Sequence, residues 1–194
     1  MAFAEAVAGP GGTLRWIRQV HGTTVVPASR ATGHPRTEGD ALVSTRPDDR
    51  LAMIAADCAT IALGSPEGVF AAVHAGWRGL TDGVVEAAAE AMRQAGATSL
   101  AGALGPTIHA ECYEFSPADL DRVAGRLGDG VRGRSSAGGP ALDLPAAVDS
   151  ALRRAGVTPV PGVDECTACS GRHFSHRARQ DRGREALVVW SVGD

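Results

Sequence analysis

A mixed fold, of α/β or α+β class, is predicted by two observations. Short aliphatic runs bounded by turn residues are interleaved with three segments of helical pattern, and nothing in the chain reads as a domain linker or an internal repeat. At 194 residues the chain is sized for one domain, 1–194. Residues 1–12 are small and glycine-rich and are expected to be loose. TLRWIRQV (13–20) reads as a strand that stops at His21-Gly22, and ALVST follows Gly39-Asp40 as a second. LAMIAA (51–56) is a buried apolar run ended by Asp57-Cys58. TIALG precedes the turn Ser65-Pro66-Glu67-Gly68, and VFAAV (69–73) stops at His74.

From Thr81 the period changes. TDGVVEAAAEAMRQAG reads as a helix with Thr81 or Asp82 at its N-cap and Gly96 as its stop. SLAGALG (99–105) is a strand ended by Pro106. Ser116 and Pro117 open a second helix at the N-cap and first helical positions. Residues 128–140 read as a flexible glycine-rich loop. Asp143 caps a third helix that runs to about Arg154 and closes at Gly156, and ALVVWSV is the last strand.

Composition removes several function classes. Nineteen Lys+Arg against 22 Asp+Glu give a net charge of −3, which is no electrostatic footprint for nucleic acid or an anionic membrane. No run is long and apolar enough to span a bilayer. Glu5 stands where an export signal would be basic and then apolar, so a cytoplasmic chain with reduced thiols is expected. Four cysteines are too few for a disulfide scaffold in a chain this long.

The chemistry-bearing residues sit at run ends. Three apolar runs finish at His21, Cys58 and His74, and strand ends on one rim of a sheet can converge. Two imidazoles and a thiolate make a three-ligand zinc set with an open fourth position, the pattern of a catalytic site. Their separations, 37 and 16 residues, match no local metal motif, so spacing alone leaves ordinary packed side chains as the competing reading. HAGWRGLTDG joins a strand to a helix through glycines, and Arg78 inside it could fork a phosphate or carboxylate. An ordinary strand-to-helix loop with a solvated arginine accounts for the same residues. Asp57 and Asp40 are the candidate carboxylates for moving protons; capping the turn that orients Cys58 accounts for Asp57 equally well, and a structural turn role accounts better for Asp40. Cys166-Thr-Ala-Cys169-Ser-Gly-Arg-His173-Phe-Ser-His176 looks like a zinc knuckle, but its four ligands crowd into eleven residues, too few for a loop to wrap an ion. Cys112 reads as a small buried side chain.

The strings RQVHG, GDALVS, AADC, VHAGWRG, LGPTI…CYEF and CT…FSHR occur in that order, from about Leu14 to Trp190. In this the chain resembles the laccase-domain family, also called multicopper polyphenol oxidoreductases and the family of the peptidoglycan editing factor. The resemblance implies an α+β fold, a four-layer α/β/β/α sandwich with mixed sheets. It implies one zinc per chain on His21, Cys58 and His74, with copper disfavoured because six histidines cannot supply a multicopper set. It implies purine nucleoside phosphorylase activity on adenosine, inosine, guanosine and methylthioadenosine, with adenosine deaminase activity in the same pocket. Asp57 and Arg78 are the residues expected to assist catalysis, and purine nucleosides and phosphate the partners. Two alternatives are a cysteine-type hydrolase or amidase that edits peptidoglycan precursors with Cys58 as nucleophile, and a zinc-binding remnant without catalysis. The remnant is suggested by the short stretch before His21, where the family usually carries several dozen residues. Cys169 and His173 match nothing in the family pattern, and Glu111 replaces the first Cys of a frequent Cys-Cys pair, a change expected to matter little.

Overall fold

The structure is a computed structural model that describes residues 12–31 and 37–192. The expected loose start therefore lies almost wholly outside the described residues. A six-stranded sheet forms the centre. Its order is β10 (Thr158–Pro159), β7 (Ala101–Leu104), β5 (Ala59–Gly64), β6 (Phe70–Ala75), β3 (Ala41–Ser44), β2 (Val25–Pro27). A three-stranded sheet packs on one face, with β4 (Asp49–Ala55) between β1 (Thr13–Arg15) and β11 (Glu185–Val189). Both sheets mix parallel and antiparallel pairs. The other face of the large sheet is covered by helices α1 (Trp77–Asp82), α2 (Val84–Gln94), α3 (Pro117–Leu127) and α4 (Leu144–Arg154). The stack of helices, sheet and sheet is an α+β sandwich with mixed sheets and supplies three of the four layers expected.

The period of two along β6 sets what each face meets. Ala71 and Val73 join the cluster under the helices, with Leu80, Val84, Met92 and Leu152. Phe70 and Ala72 join the second cluster, between the sheets, with Leu42, Leu51 and Met53. His74 shares the parity of Phe70 and Ala72, so it is aimed into the gap between the sheets, at its end. The two clusters are built almost wholly from Ala, Val, Leu, Ile and Met, as an aromatic content of 4% requires.

Several local expectations change. The strand read over 13–20 pairs only over Thr13–Arg15. Beyond it Gln19 replaces a backbone rung with its side chain, donating to Ile54 O at 2.7 Å and accepting from Ile54 N at 2.9 Å. The helix read from Thr81 starts earlier and is broken. Gly83, at φ 100°, separates α1 from α2, and Thr81 donates its hydroxyl back to Trp77 O rather than capping. The caps at Ser116 and Asp143 form as expected, accepting from Asp119 N at 3.1 Å and Ala146 N at 2.9 Å. The glycine-rich segment 128–140 is an ordered turn of 3-10 helix followed by the hairpin β8 (Arg132–Arg134) and β9 (Pro140–Leu142).

Candidate metal centre

Asp40 organises the site from below. Its carboxylate is fully buried at the start of β3. It accepts from three successive backbone N–H groups, those of Val20 at 3.2 Å, His21 at 2.9 Å and Gly22 at 2.7 Å. Three adjacent amides curled round one carboxylate form a nest, and the nest holds His21 in the left-handed region at φ 60°. The same carboxylate lies 2.8 Å from His74 Nδ1. That contact assigns the Nδ1 proton and leaves Nε2 as the free nitrogen, the arrangement by which a carboxylate orients a ligating histidine. Burial alone would raise the Asp40 pKa, but the bonds from His74 and Gly22 outweigh it and hold the carboxyl below its usual value.

Cys58 reaches the same point from the other side. Asp57 is also left-handed, at φ 91°, and turns the chain from β4 into β5. His21, Cys58 and His74 offer ligand atoms that all lie within 4.8 Å of one another. Cys58 Sγ and His21 Nε2 are 3.8 Å apart, and the two imidazoles meet edge to face at 4.8 Å. Burial pushes the Cys58 thiol up, yet hydrogen bonding from His21 and His74 brings it down to about 6. Burial pushes His74 down, yet Asp40 and Cys58 bring it up to about 9. A thiolate beside two imidazoles is a cation-binding set, and a metal would displace the proton that Asp40 and Cys58 help His74 to hold.

The glycines of HAGWRG have a role other than the one read from sequence. A Cβ on Gly76 would sit 2.6 Å from His21 Cδ2, and one on Gly79 would sit 2.7 Å from Gly22 O. They make room for the His21 turn. Gly76→Ala is therefore expected to displace the His21 ring and weaken metal binding by about ten-fold or more, with ~1–3 kcal/mol of overpacking. Calorimetric metal titration and thermal melting check this. Arg78 does not serve the cluster: it is exposed, with its guanidinium 4.4 Å over the Trp77 ring. Asp57 is fixed instead of free. Its Oδ1 accepts from the Thr167 hydroxyl and its Oδ2 from Arg177 N, each at 2.6 Å, so both oxygens are engaged.

Above the three ligands lies a cavity of about 630 Å³ lined by Trp16, Arg18, Gln19, Ile54, His176 and Arg184 among others; neither Asp57 nor Arg78 is on its wall. Sequence reading missed Asp40 as the organising carboxylate. It also missed Trp16 and Arg184, whose only sequence signal was proximity to the matched strings, and it read His176 as a knuckle ligand and not as part of this wall. The zinc knuckle read over 166–176 does not assemble. His173 turns away to Glu165, 3.0 Å, and Glu185, 3.6 Å, and His176 joins the cavity wall. Cys166 and Cys169 meet Cys112 and Glu111 instead, in a second group of ligand atoms within 4.8 Å of one another.

A family model described as multi-copper polyphenol oxidoreductase laccase matches residues 1–192. A purine nucleoside phosphorylase of Mycobacterium tuberculosis is 35% identical over 191 residues, which are 97% of this chain and 76% of the relative. One from Streptomyces griseus is 38% identical over 180 residues, 90% and 73% of the two chains. Among solved structures, a Neisseria meningitidis protein of the family labelled DUF152 has a TM-score of 0.83 at 29% identity, covering 94% of this chain and 76% of its own. YlmD of Geobacillus stearothermophilus has a TM-score of 0.82 at 27% identity, covering 97% and 77%.

Proposed function

We propose that this chain, which belongs to the multi-copper polyphenol oxidoreductase laccase family, is a zinc-dependent purine nucleoside phosphorylase. The observation that carries the reading is the placement of His21, Cys58 and His74 together on the floor of one cavity. Relatives named purine nucleoside phosphorylase at 35–38% identity support it. The donor set fits zinc, with two imidazoles, one thiolate and no fourth protein ligand in the group among the described residues. Among the described residues the cavity wall carries no methionine, the usual weak axial partner of a His₂Cys copper site.

An ion held by those three residues would supply positive charge and a coordination position beside the substrate. The chain's own groups do the rest. The cavity volume is within the ~300–1,000 Å³ usual for small-molecule sites. Trp16 presents an aromatic ring suited to stacking on a purine. Arg18 and Arg184 bring guanidinium charge to the same wall, where phosphate would be attracted and oriented. In phosphorolysis the C1′–N9 bond breaks as a phosphate oxygen bonds to C1′, and the base leaves with the electron pair and needs a proton. His176 is the imidazole on that wall outside the ligand set, and we assign it that proton. Asp57 acts as a positioning residue that holds the Cys58 turn. Adenosine, inosine, guanosine and methylthioadenosine are the proposed nucleosides, with adenosine deamination a second reaction of the same pocket.

Incubation with inosine and phosphate should yield hypoxanthine and ribose 1-phosphate, and adenosine should yield inosine as well as adenine. Absence of base release from zinc-loaded protein with any of the four nucleosides would overturn the assignment. One observation favours the cysteine-hydrolase reading, namely the thiol of Cys58 lowered to about 6 beside two histidines. Amidase activity that appears only in metal-free protein and is lost on alkylating Cys58 would establish that reading instead.

A further inference from the structure

We propose that Glu111, Cys112, Cys166 and Cys169 form a second metal site, a closed structural one that takes a thiophilic divalent cation of the zinc class. Their four ligand atoms lie mutually within 4.8 Å. In a tetrahedral site with Zn–S of ~2.3 Å and Zn–O of ~2.0–2.2 Å, neighbouring ligand atoms are separated by ~3.5–3.8 Å. Cys169 Sγ and Glu111 Oε1 are already 3.7 Å apart. Three sulfurs and one carboxylate complete four-coordination from protein alone, which distinguishes this group from the open three-ligand set below the cavity. The donors come from two chain segments and not from one crowded stretch. Glu111 and Cys112 end the 3-10 turn Ala110–Cys112, and Cys166 and Cys169 flank a tight turn closed by Ser170 N donating to Cys166 O at 3.1 Å. The backbone N–H of His109 points at Cys166 Sγ, 3.4 Å away, the kind of contact that stabilises a ligating thiolate. All three cysteines are free thiols. Binding would therefore release three protons to solvent and form four metal–ligand bonds, with no oxidant or reductant involved.

The position gives the site a function. Thr107 and Thr167 join the two segments by backbone bonds, Thr167 N donating to Thr107 O at 3.0 Å. Thr167, next to Cys166, donates its hydroxyl to Asp57, which precedes Cys58. A cation clamping Cys166 to Cys112 would hold the strut on which the Cys58 turn rests. The inference is independent of the phosphorolysis reading.

Cobalt(II) loading of the full chain, reduced and stripped with a chelator beforehand, tests it. Wild-type protein is expected to bind about two equivalents per chain. Cys58→Ala should keep about one, with intense near-ultraviolet thiolate-to-cobalt absorption from several sulfurs. Cys169→Ser should also keep about one, and should lose most of that absorption. Glu111→Gln, a mild change at an exposed position, should weaken the second equivalent at least ten-fold without unfolding the chain. About one equivalent in wild type and none in Cys58→Ala would overturn the proposal. So would a second equivalent whose affinity and absorption are unmoved by both Cys169→Ser and Glu111→Gln.

Discussion

On the proposed phosphorylase reading, Cys58→Ala is expected to abolish nucleoside phosphorolysis and cation binding at His21 and His74, while the chain stays folded. The residue supplies the only sulfur and the only anionic donor of its group. Without it, two imidazoles remain to hold a divalent ion, and the positive charge they would keep near the ribose and phosphate is lost. Electrostatic stabilisation of that kind contributes several kcal/mol, so a fall in kcat/KM of ~10³-fold or more is expected. The fold should tolerate the change, because Cys58 is only partly buried and stands at the rim of β5 outside both apolar clusters. Metal analysis, product chromatography and circular dichroism on one preparation check the three parts together. Phosphorolysis surviving in Cys58→Ala protein that holds no metal would break the link between ligand set and reaction.

Asp40→Ala should have the larger effect on stability. The substitution takes the acceptor from the Nδ1 proton of buried His74 and from the part-buried amides of Val20, His21 and Gly22. Breaking a buried charged pair costs ~3–5 kcal/mol, and losing an orienting carboxylate lowers metal affinity by ~10–100-fold. Both should be read on purified protein, by denaturant unfolding without metal and by metal titration. The pH dependence has a defined sign. In metal-free protein His74 is raised from 6.5 to about 9, so its protonated form contributes stability fully below pH 6.5, and that contribution is lost as pH rises through about 9. The stability gap between metal-free wild type and Asp40→Ala should accordingly be widest below pH 6.5 and narrow towards pH 9. A gap that widens with rising pH would mean that the His74–Asp40 bond is not the source of the loss.

Much of the architecture was legible because aliphatic runs of the right length and helix signals of the right chemistry agree with what the chain does locally. VFAAV, TIALG and LAMIAA are strands, and Ser116 and Asp143 cap helices, since each depends on neighbours a few residues away. Gly83 was misread because a helix pattern continues through it on both sides, and only its positive φ marks the break. The hairpin at 132–142 was hidden because Arg132, Gly133 and Arg134 carry no apolar alternation, although their partners Ala141 and Leu142 are buried. Among site residues, His21, Cys58 and His74 stood out by residue type at run ends. Asp40 did not, because Gly-Asp before a strand reads as an ordinary turn and its three amide partners come from a segment eighteen to twenty residues earlier. Arg78 shows the opposite limit: its local setting suggested an anion cradle, while its stacking on Trp77 is invisible to pattern. Cys112 packs partly against the core as read, but its neighbours Cys166 and Cys169 lie more than fifty residues downstream and are invisible to local pattern.

The bonds from Thr167 and Arg177 to Asp57 close loops of 110 and 120 residues. A ribosome that has released only the first half of the chain has therefore made His21, Cys58 and His74 but not the brace that sets the turn before Cys58. Contacts of such long sequence separation form late. The pocket thus matures only after Arg177 has been made, and chains truncated before Arg177 are expected to bind a divalent ion more weakly than the full chain.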